Sequence, residues 1–180
     1  TALAAVEQLP FDISVDTIKR SLIEVELVGR FQQLKGNQLE MLAERLTVPY
    51  SQLPKVIIDV GHNPHAAKYL AEKLTALKTQ ISGRIIAVCG MLRDKDAESV
   101  FFQLTSVIDQ WHCVTLGGYR GQSGDDLNAK LTTVCPSAKS VSEDSVAEGV
   151  QSAVKNADKN DIVLVFGSFH TVGEFLEYLA

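Results

Sequence analysis

From residue 55 onward the chain alternates short apolar runs with stretches in which apolar residues return every three or four positions. Val56-Ile57-Ile58-Asp59-Val60, Arg84-Ile85-Ile86-Ala87-Val88-Cys89, Trp111 to Leu116, Ala138 to Val141 and Asp161-Ile162-Val163-Leu164-Val165-Phe166 have the brevity and β-branched content of buried strands, that at 138–141 being the weakest. After each run a helical stripe follows. Leu70, Leu74, Leu77 and Ile81 make the first, with Ala67 and Ala71 on the same face. Ala97, Val100, Phe101, Leu104, Val107 and Ile108 make the second, Leu127, Leu131 and Val134 the third. Val146, Val150, Ala153 and Val154 form the fourth, and Val172, Phe175, Leu176 and Leu179 close the chain. Strands and helices in strict alternation, joined by short loops, predict a mostly parallel sheet with helices on both faces. The expected fold is a Rossmann-like, doubly wound α/β domain.

Residues 1–54 break this rhythm. The spacing predicts a helix over 17–22, an extended segment over 23–34 carrying Gly29-Arg30-Phe31, and a short helix or insertion over 37–46 that ends near Pro49. The length of 180 residues suits one globular domain. With 17 Lys and Arg against 22 Asp and Glu the net charge is −5, which argues against a nucleic-acid module. The longest apolar stretch, Ile85 to Leu92, is interrupted by Gly90 and too short to span a bilayer. Cys89, Cys113 and Cys135 are odd in number and lack C-x-x-C spacing, so a disulfide framework or structural zinc is not expected. Cys89 and Cys113 read as small hydrophobes inside strands, which fits a reducing cytoplasm. The first residues have no basic n-region of a signal peptide and no initiating Met, and a trimmed chain is expected.

In an open α/β sheet ligands bind beyond the carboxyl ends of the strands, so each exit is a candidate. The first exits as Asp59-Val60-Gly61-His62-Asn63-Pro64-His65, with Asn63 as N-cap and Pro64 at the first helical position. The helix start favours anionic or polar ligand groups, and Asp59 suits ribose hydroxyls. A plain capping role for Asn63 is the alternative. The second exit, Gly90-Met91-Leu92-Arg93-Asp94-Lys95-Asp96, reads as a solvated helix start or a ligand-facing turn. The third, Gly117-Gly118-Tyr119-Arg120-Gly121-Gln122-Ser123-Gly124, matches neither G-x-G-x-x-G nor a phosphate loop, and a flexible connection is expected. The last, Gly167-Ser168-Phe169-His170-Thr171, lacks the G-x-S-x-G of a hydrolase, so Ser168 reads as a cap or a carboxylate binder. His62 and His65 have no third ligand in place for zinc, and no metal site is expected in the chain.

Taken together, Gly29-Arg30-Phe31-Gln32, Asp59 to Ala67, Gly90 to Asp96 and Val165 to Val172 resemble, in order, the C-terminal domain of the bacterial bifunctional dihydrofolate synthase/folylpolyglutamate synthases, relatives of the Mur peptide ligases. The resemblance implies the Mur ligase C-terminal type of fold and an ATP-dependent ligase that joins L-glutamate to dihydropteroate and to folates through an acyl phosphate. It implies that Arg30 and Asp59 contact the ribose of ATP and that His62 and Asn63 lie beside the nucleotide. Asp94, Lys95 and Asp96, with Ser168 and His170, would border the glutamate site. Gly61 stands where the family usually has alanine, and the segment 34–55 is longer than the usual link. No Walker A string occurs in the chain. Residues 1–28 are therefore expected to be the tail of a central ATPase domain and its linker, and 29–180 the glutamate-ligase domain. That ATPase domain would hold Mg2+ and be the partner of this one. The chain alone is expected to be inactive. The other readings are a Mur-type peptide ligase domain and a non-catalytic Rossmann-like nucleotide-binding module.

Overall fold

The computed structural model describes residues 4–5, 8, 10, 12–24 and 27–180. The part of the 1–28 segment at positions 1–3, 6, 7, 9, 11, 25 and 26 lies outside the described residues. Helix α1 (Val15–Glu24) is followed by a turn and the two-residue strand β1 (Gln32–Gln33), then by α2 (Asn37–Leu46). The alternating part runs β2 (Lys55–Asp59), α3 (Pro64–Lys78), β3 (Ile85–Cys89), α4 (Ala97–Leu104), β4 (Gln110–Val114), α5 (Gly124–Val134), β5 (Ser140–Glu143), α6 (Val146–Asn156), β6 (Ile162–Phe166) and α7 (Phe169–Leu179). No helix among the described residues is long and apolar enough to cross a membrane.

The six strands lie in the order β1-β2-β6-β3-β4-β5, with only β1 antiparallel to its neighbour. Because side chains alternate across a strand, each central strand feeds two cores. Val56, Ile58, Ile86, Val88, Val163 and Val165 pack with α2, α6 and α7 on one face. Ile57, Ile85, Ala87, Cys89, Trp111, Leu164 and Phe166 pack with α3, α4 and α5 on the other. Trp111 meets Phe101 edge to face with ring centres 5.2 Å apart. The fold expected from the alternation is present.

Two details differ from it. The fourth run pairs at Ser140–Glu143, two residues beyond Ala138, because its position is set by register against Trp111 to Val114. Its residues are half-buried or exposed, so no apolar pattern marked it. The 23–34 segment is not one extended run: Ile23 and Glu24 end α1, and residues 28–31 form a turn and bend. Gly29 (φ +70°) and Phe31 (φ +44°) both take left-handed backbone there.

The last strand in sequence, β6, sits between β2 and β3. Its exit leads to α7 on one face, whereas its neighbours lead to α3 and α4 on the other. The chain therefore diverges on both sides of β6. Such switch points open crevices at the sheet edge, and they put the exits of β2, β6 and β3 side by side.

Candidate functional site

All five helices that follow a parallel strand begin with a side-chain cap at this edge. Asn63 Oδ1 accepts the Ala66 N–H at 3.0 Å, Asp96 Oδ1 the Ser99 N–H at 3.1 Å and Ser168 Oγ the Thr171 N–H at 3.0 Å. Ser123 and Ser145 do the same for α5 and α6. Three of the nine candidate residues thus end a helix N-terminus and aim its free N–H groups past the sheet. Hydrogen bonds from Ser99 hold the Asp96 carboxyl below the usual range.

Ser168 is committed further. Thr171 Oγ1 donates to the Gly90 carbonyl at 2.6 Å, so the Ser168 hydroxyl must give its proton to Thr171 Oγ1, 2.7 Å away. Both side chains are buried. This network ties the exit of β6 to that of β3. Gly167 makes the approach possible: its φ is +112°, and a Cβ there would lie 2.6 Å from the Gly90 oxygen.

Asp59, 9% exposed, accepts the Phe31 N–H at 2.8 Å on Oδ2 and the Gly61 N–H at 2.6 Å on Oδ1. One carboxylate thereby fastens the 28–31 turn over the end of β2. The Gly29 carbonyl, which accepts the Val60 N–H at 2.8 Å, is a second fastening. The turn carries Arg30, whose guanidinium lies 5.9 Å from the centre of the Phe169 ring. His62 reaches the same ring from β2, with centres 6.4 Å apart. Its Nδ1 must donate to the Val60 carbonyl at 2.9 Å, which leaves Nε2 open to other partners. Phe169 is 62% exposed on the first turn of α7. A cation, an imidazole and an aromatic face beside two helix N-termini suit a flat ring bearing anionic groups.

The other crevice holds Asp94 and Lys95, joined at 2.9 Å. Arg120 grips the same carboxylate from the glycine-rich loop, Nε to Oδ1 at 3.0 Å and a terminal nitrogen to Oδ2 at 2.8 Å. Arg120 and then Lys95 hold the Asp94 carboxyl well below the usual carboxylate range. The carbonyls of the loop are held by the N–H and Nε of Arg93, so it is not the flexible connection its glycines suggested. His170 is exposed one turn before Glu174, whose carboxyl is pushed up by partial burial against the pull of His170.

The candidates therefore fall into two groups. Arg30, Asp59, His62 and Asn63 gather at the β2 exit, and Asp94, Lys95 and Asp96 at the β3 exit, with Ser168 between them as a buried tie and His170 exposed in the first turn of α7. Sequence reasoning missed Phe169 as the shared platform, Thr171 as the bridge and Arg120 as the partner of Asp94. The Phe169 position inside a strand exit and the single Arg among four glycines were the available signals. Among the described residues no three or more His, Cys, Asp or Glu side chains converge to hold a metal ion. Cys89 and Cys113 face each other across β3 and β4, fully buried, and burial pushes the Cys113 thiol up to about 12.

Residues 44–169 match the family described as Mur ligase, glutamate ligase domain. A dihydrofolate synthase/folylpolyglutamate synthase of Haemophilus influenzae is 65% identical over 175 residues, 97% of this chain and 40% of that protein. The structure of Escherichia coli FolC in complex with DHPP and ADP is 38% identical, with a TM-score of 0.78 over 98% of this chain and 37% of that one. The Yersinia pestis bifunctional folylpolyglutamate synthase/dihydrofolate synthase, complexed with AMPPNP and Mn ion, is 34% identical with a TM-score of 0.75, over 99% and 37%. The chain spans about two fifths of the length of these relatives. With that match covering strands β2 to β6 and the helix starts that follow β2 and β3, the chain belongs to the glutamate ligase domain family of the Mur ligases.

Proposed function

We propose that this chain is the C-terminal, closing domain of a cytoplasmic ATP-dependent ligase that adds L-glutamate to dihydropteroate and to folates. The observation that carries the reading is the convergence of Arg30, His62 and Phe169 beside the ends of β2 and β6, in a chain 65% identical to a dihydrofolate synthase/folylpolyglutamate synthase. The donor set fits a nucleotide. Arg30 offers a guanidinium to ribose or phosphate oxygens, and Phe169 and His62 offer flat surfaces to a base. Asp59 acts first by holding the turn of Arg30 with its two backbone hydrogen bonds, and its remaining lone pairs suit ribose hydroxyls. Asn63 keeps the N-terminus of α3 open toward the same side.

ATP, when bound, supplies the phosphoryl group that activates the pteroate or folate carboxylate as an acyl phosphate. The glutamate amine then attacks. Asp94, Lys95 and Asp96 border the glutamate together with His170, and Ser168 contributes by holding the β6 exit against the β3 exit. Mg2+ is held by the central ATPase domain. Residues 1–28 are the tail of that domain and its linker, and 29–180 form the domain that closes on it.

The test is glutamate-dependent ADP release with dihydropteroate in the full-length protein. Asp59→Ala is expected to raise KM for ATP roughly tenfold, the scale of losing one charge-assisted hydrogen-bonding group. Unchanged nucleotide kinetics would remove Asp59 and its turn from the nucleotide site. Clear turnover by the 180-residue chain alone would refute the division of labour between domains.

A further inference from the structure

The loop over residues 117–123 has no part in the reading above, yet it is built with care. Four contacts fasten it across the end of β3. The Arg93 N–H donates to the Arg120 carbonyl at 2.9 Å, and Arg93 Nε donates to the Gly121 carbonyl at 3.1 Å. The Gln122 side-chain amide donates to the Met91 carbonyl at 2.8 Å, and the Arg93 guanidinium lies 5.8 Å from the Tyr119 ring centre. None of these uses the Arg120 side chain. The backbone of the loop is therefore anchored independently, and its guanidinium is free to serve another end.

That end is Asp94. A two-pronged guanidinium–carboxylate pair fixes direction as well as distance, which an ammonium cannot do. With both oxygens held by Arg120, Asp94 presents a fixed acceptor to Lys95 Nζ. Arg93, Lys95 and Arg120 against Asp94 and Asp96 give the turn a charge of 3 − 2 = +1 in a chain whose net charge is −5. An amino acid with two carboxylates meets a cation of set orientation there, with Asp94 already matched by Arg120 and Asp96 engaged on the Ser99 N–H as a helix cap.

We propose that Arg120 is a positioning residue for glutamate, which through Asp94 sets the direction of the Lys95 ammonium at the exit of β3. The inference rests on the reading of Asp94 to Asp96 as a border of the glutamate site. Its test compares Arg120→Ala, Arg120→Lys and Lys95→Ala in the full-length protein, with KM for glutamate, KM for ATP, kcat and the melting temperature measured for each. Arg120→Ala is expected to raise KM for glutamate roughly three- to tenfold, with kcat and KM for ATP changing less than about twofold. Arg120→Lys should recover only part of that loss, because the fork is absent. If Lys95→Ala raises KM for glutamate and Arg120→Ala does not, the positioning role is overturned and the glutamate reading stands. If neither moves it, both fall. A rise in both KM values with a lowered melting temperature would make Arg120 a mere anchor of its loop, and would overturn the proposal as well.

Discussion

Two buried carboxylates at opposite edges of the sheet, Asp161 and Asp59, are used in opposite ways. At the edge where strands begin, Asp161 is 2% exposed and gathers its surroundings onto one carboxylate. It accepts the Arg84 N–H and a guanidinium nitrogen, both at 2.6 Å, and the Asp158 N–H at 3.1 Å. Nearby, Asp109 takes Lys78 Nζ at 2.7 Å and the Ile85 N–H at 2.8 Å. Cations and carboxylates there satisfy one another, and the start of β3 is held by both. At the edge where strands end, Asp59 takes two backbone N–H groups and leaves the cation of its turn, Arg30, facing an exposed aromatic ring. The first arrangement closes the structure. The second holds a shape while leaving polar groups and Phe169 available, which is what a binding edge requires.

The comparison breaks most readily at Asp161. Replacing it with Ala leaves two backbone donors and a guanidinium short of a partner, and about 3 kcal/mol of stability should be lost in urea unfolding. Burial raises the Asp161 carboxyl, and the hydrogen bonds from Arg84 and Asp158 outweigh it, so the folded value lies below the ordinary one. Its stabilisation is then complete above the unfolded carboxylate value of about 4 and disappears as pH falls through the lowered folded value. The gap between wild type and Asp161→Ala should accordingly narrow as the pH is lowered below about 4. A gap that is constant with pH would show that the lost packing, not the ionised carboxylate, sets the effect.

A smaller effect is expected at the binding edge. Thr171→Val keeps the shape but leaves the Gly90 carbonyl and the Ser168 hydroxyl without their bridge, at a cost of about 2 kcal/mol. If the β6 and β3 exits form one site, the full-length enzyme should lose affinity for glutamate as well as stability. Loss of stability alone would separate the two exits. The smallest change in stability belongs to Arg30→Ala, within about 0.5 kcal/mol because the side chain is exposed. KM for ATP should nevertheless rise several-fold. A variant that instead melts early would mean that Arg30 serves the fold, and the contrast between the edges would fail at that point.

Much of this architecture was legible because the central strands are buried on both faces. A run such as Ile162–Phe166, apolar at every position, reads as a strand whatever surrounds it. The strand exits followed from the same runs, and with them the polar strings that gather at the candidate site. What escaped the sequence depends on partners distant along the chain. The bend at Phe31 is held by Asp59, 28 residues away, and no local pattern announces left-handed backbone at a phenylalanine. The firmness of the glycine-rich loop comes from Arg93, 28 residues before Gly121, and from the Gln122 amide on the Met91 carbonyl, 31 residues away. Strand order is of the same kind, since nothing in Ile162–Phe166 says which neighbours it will take.

That order bears on how the domain comes into being. Strands β2 and β3 do not touch; each finds its parallel partner in β6. During synthesis the ribosome delivers β2, β3, β4 and β5 before the strand that joins them, so β3–β4–β5 can assemble while β2 waits without a parallel neighbour. Only when residue 166 has cleared the exit tunnel does the sheet become continuous. A stop codon placed before β6 would therefore not shorten the sheet from its rim; it would leave two unconnected pieces with bare apolar edges, the kind of species that aggregates.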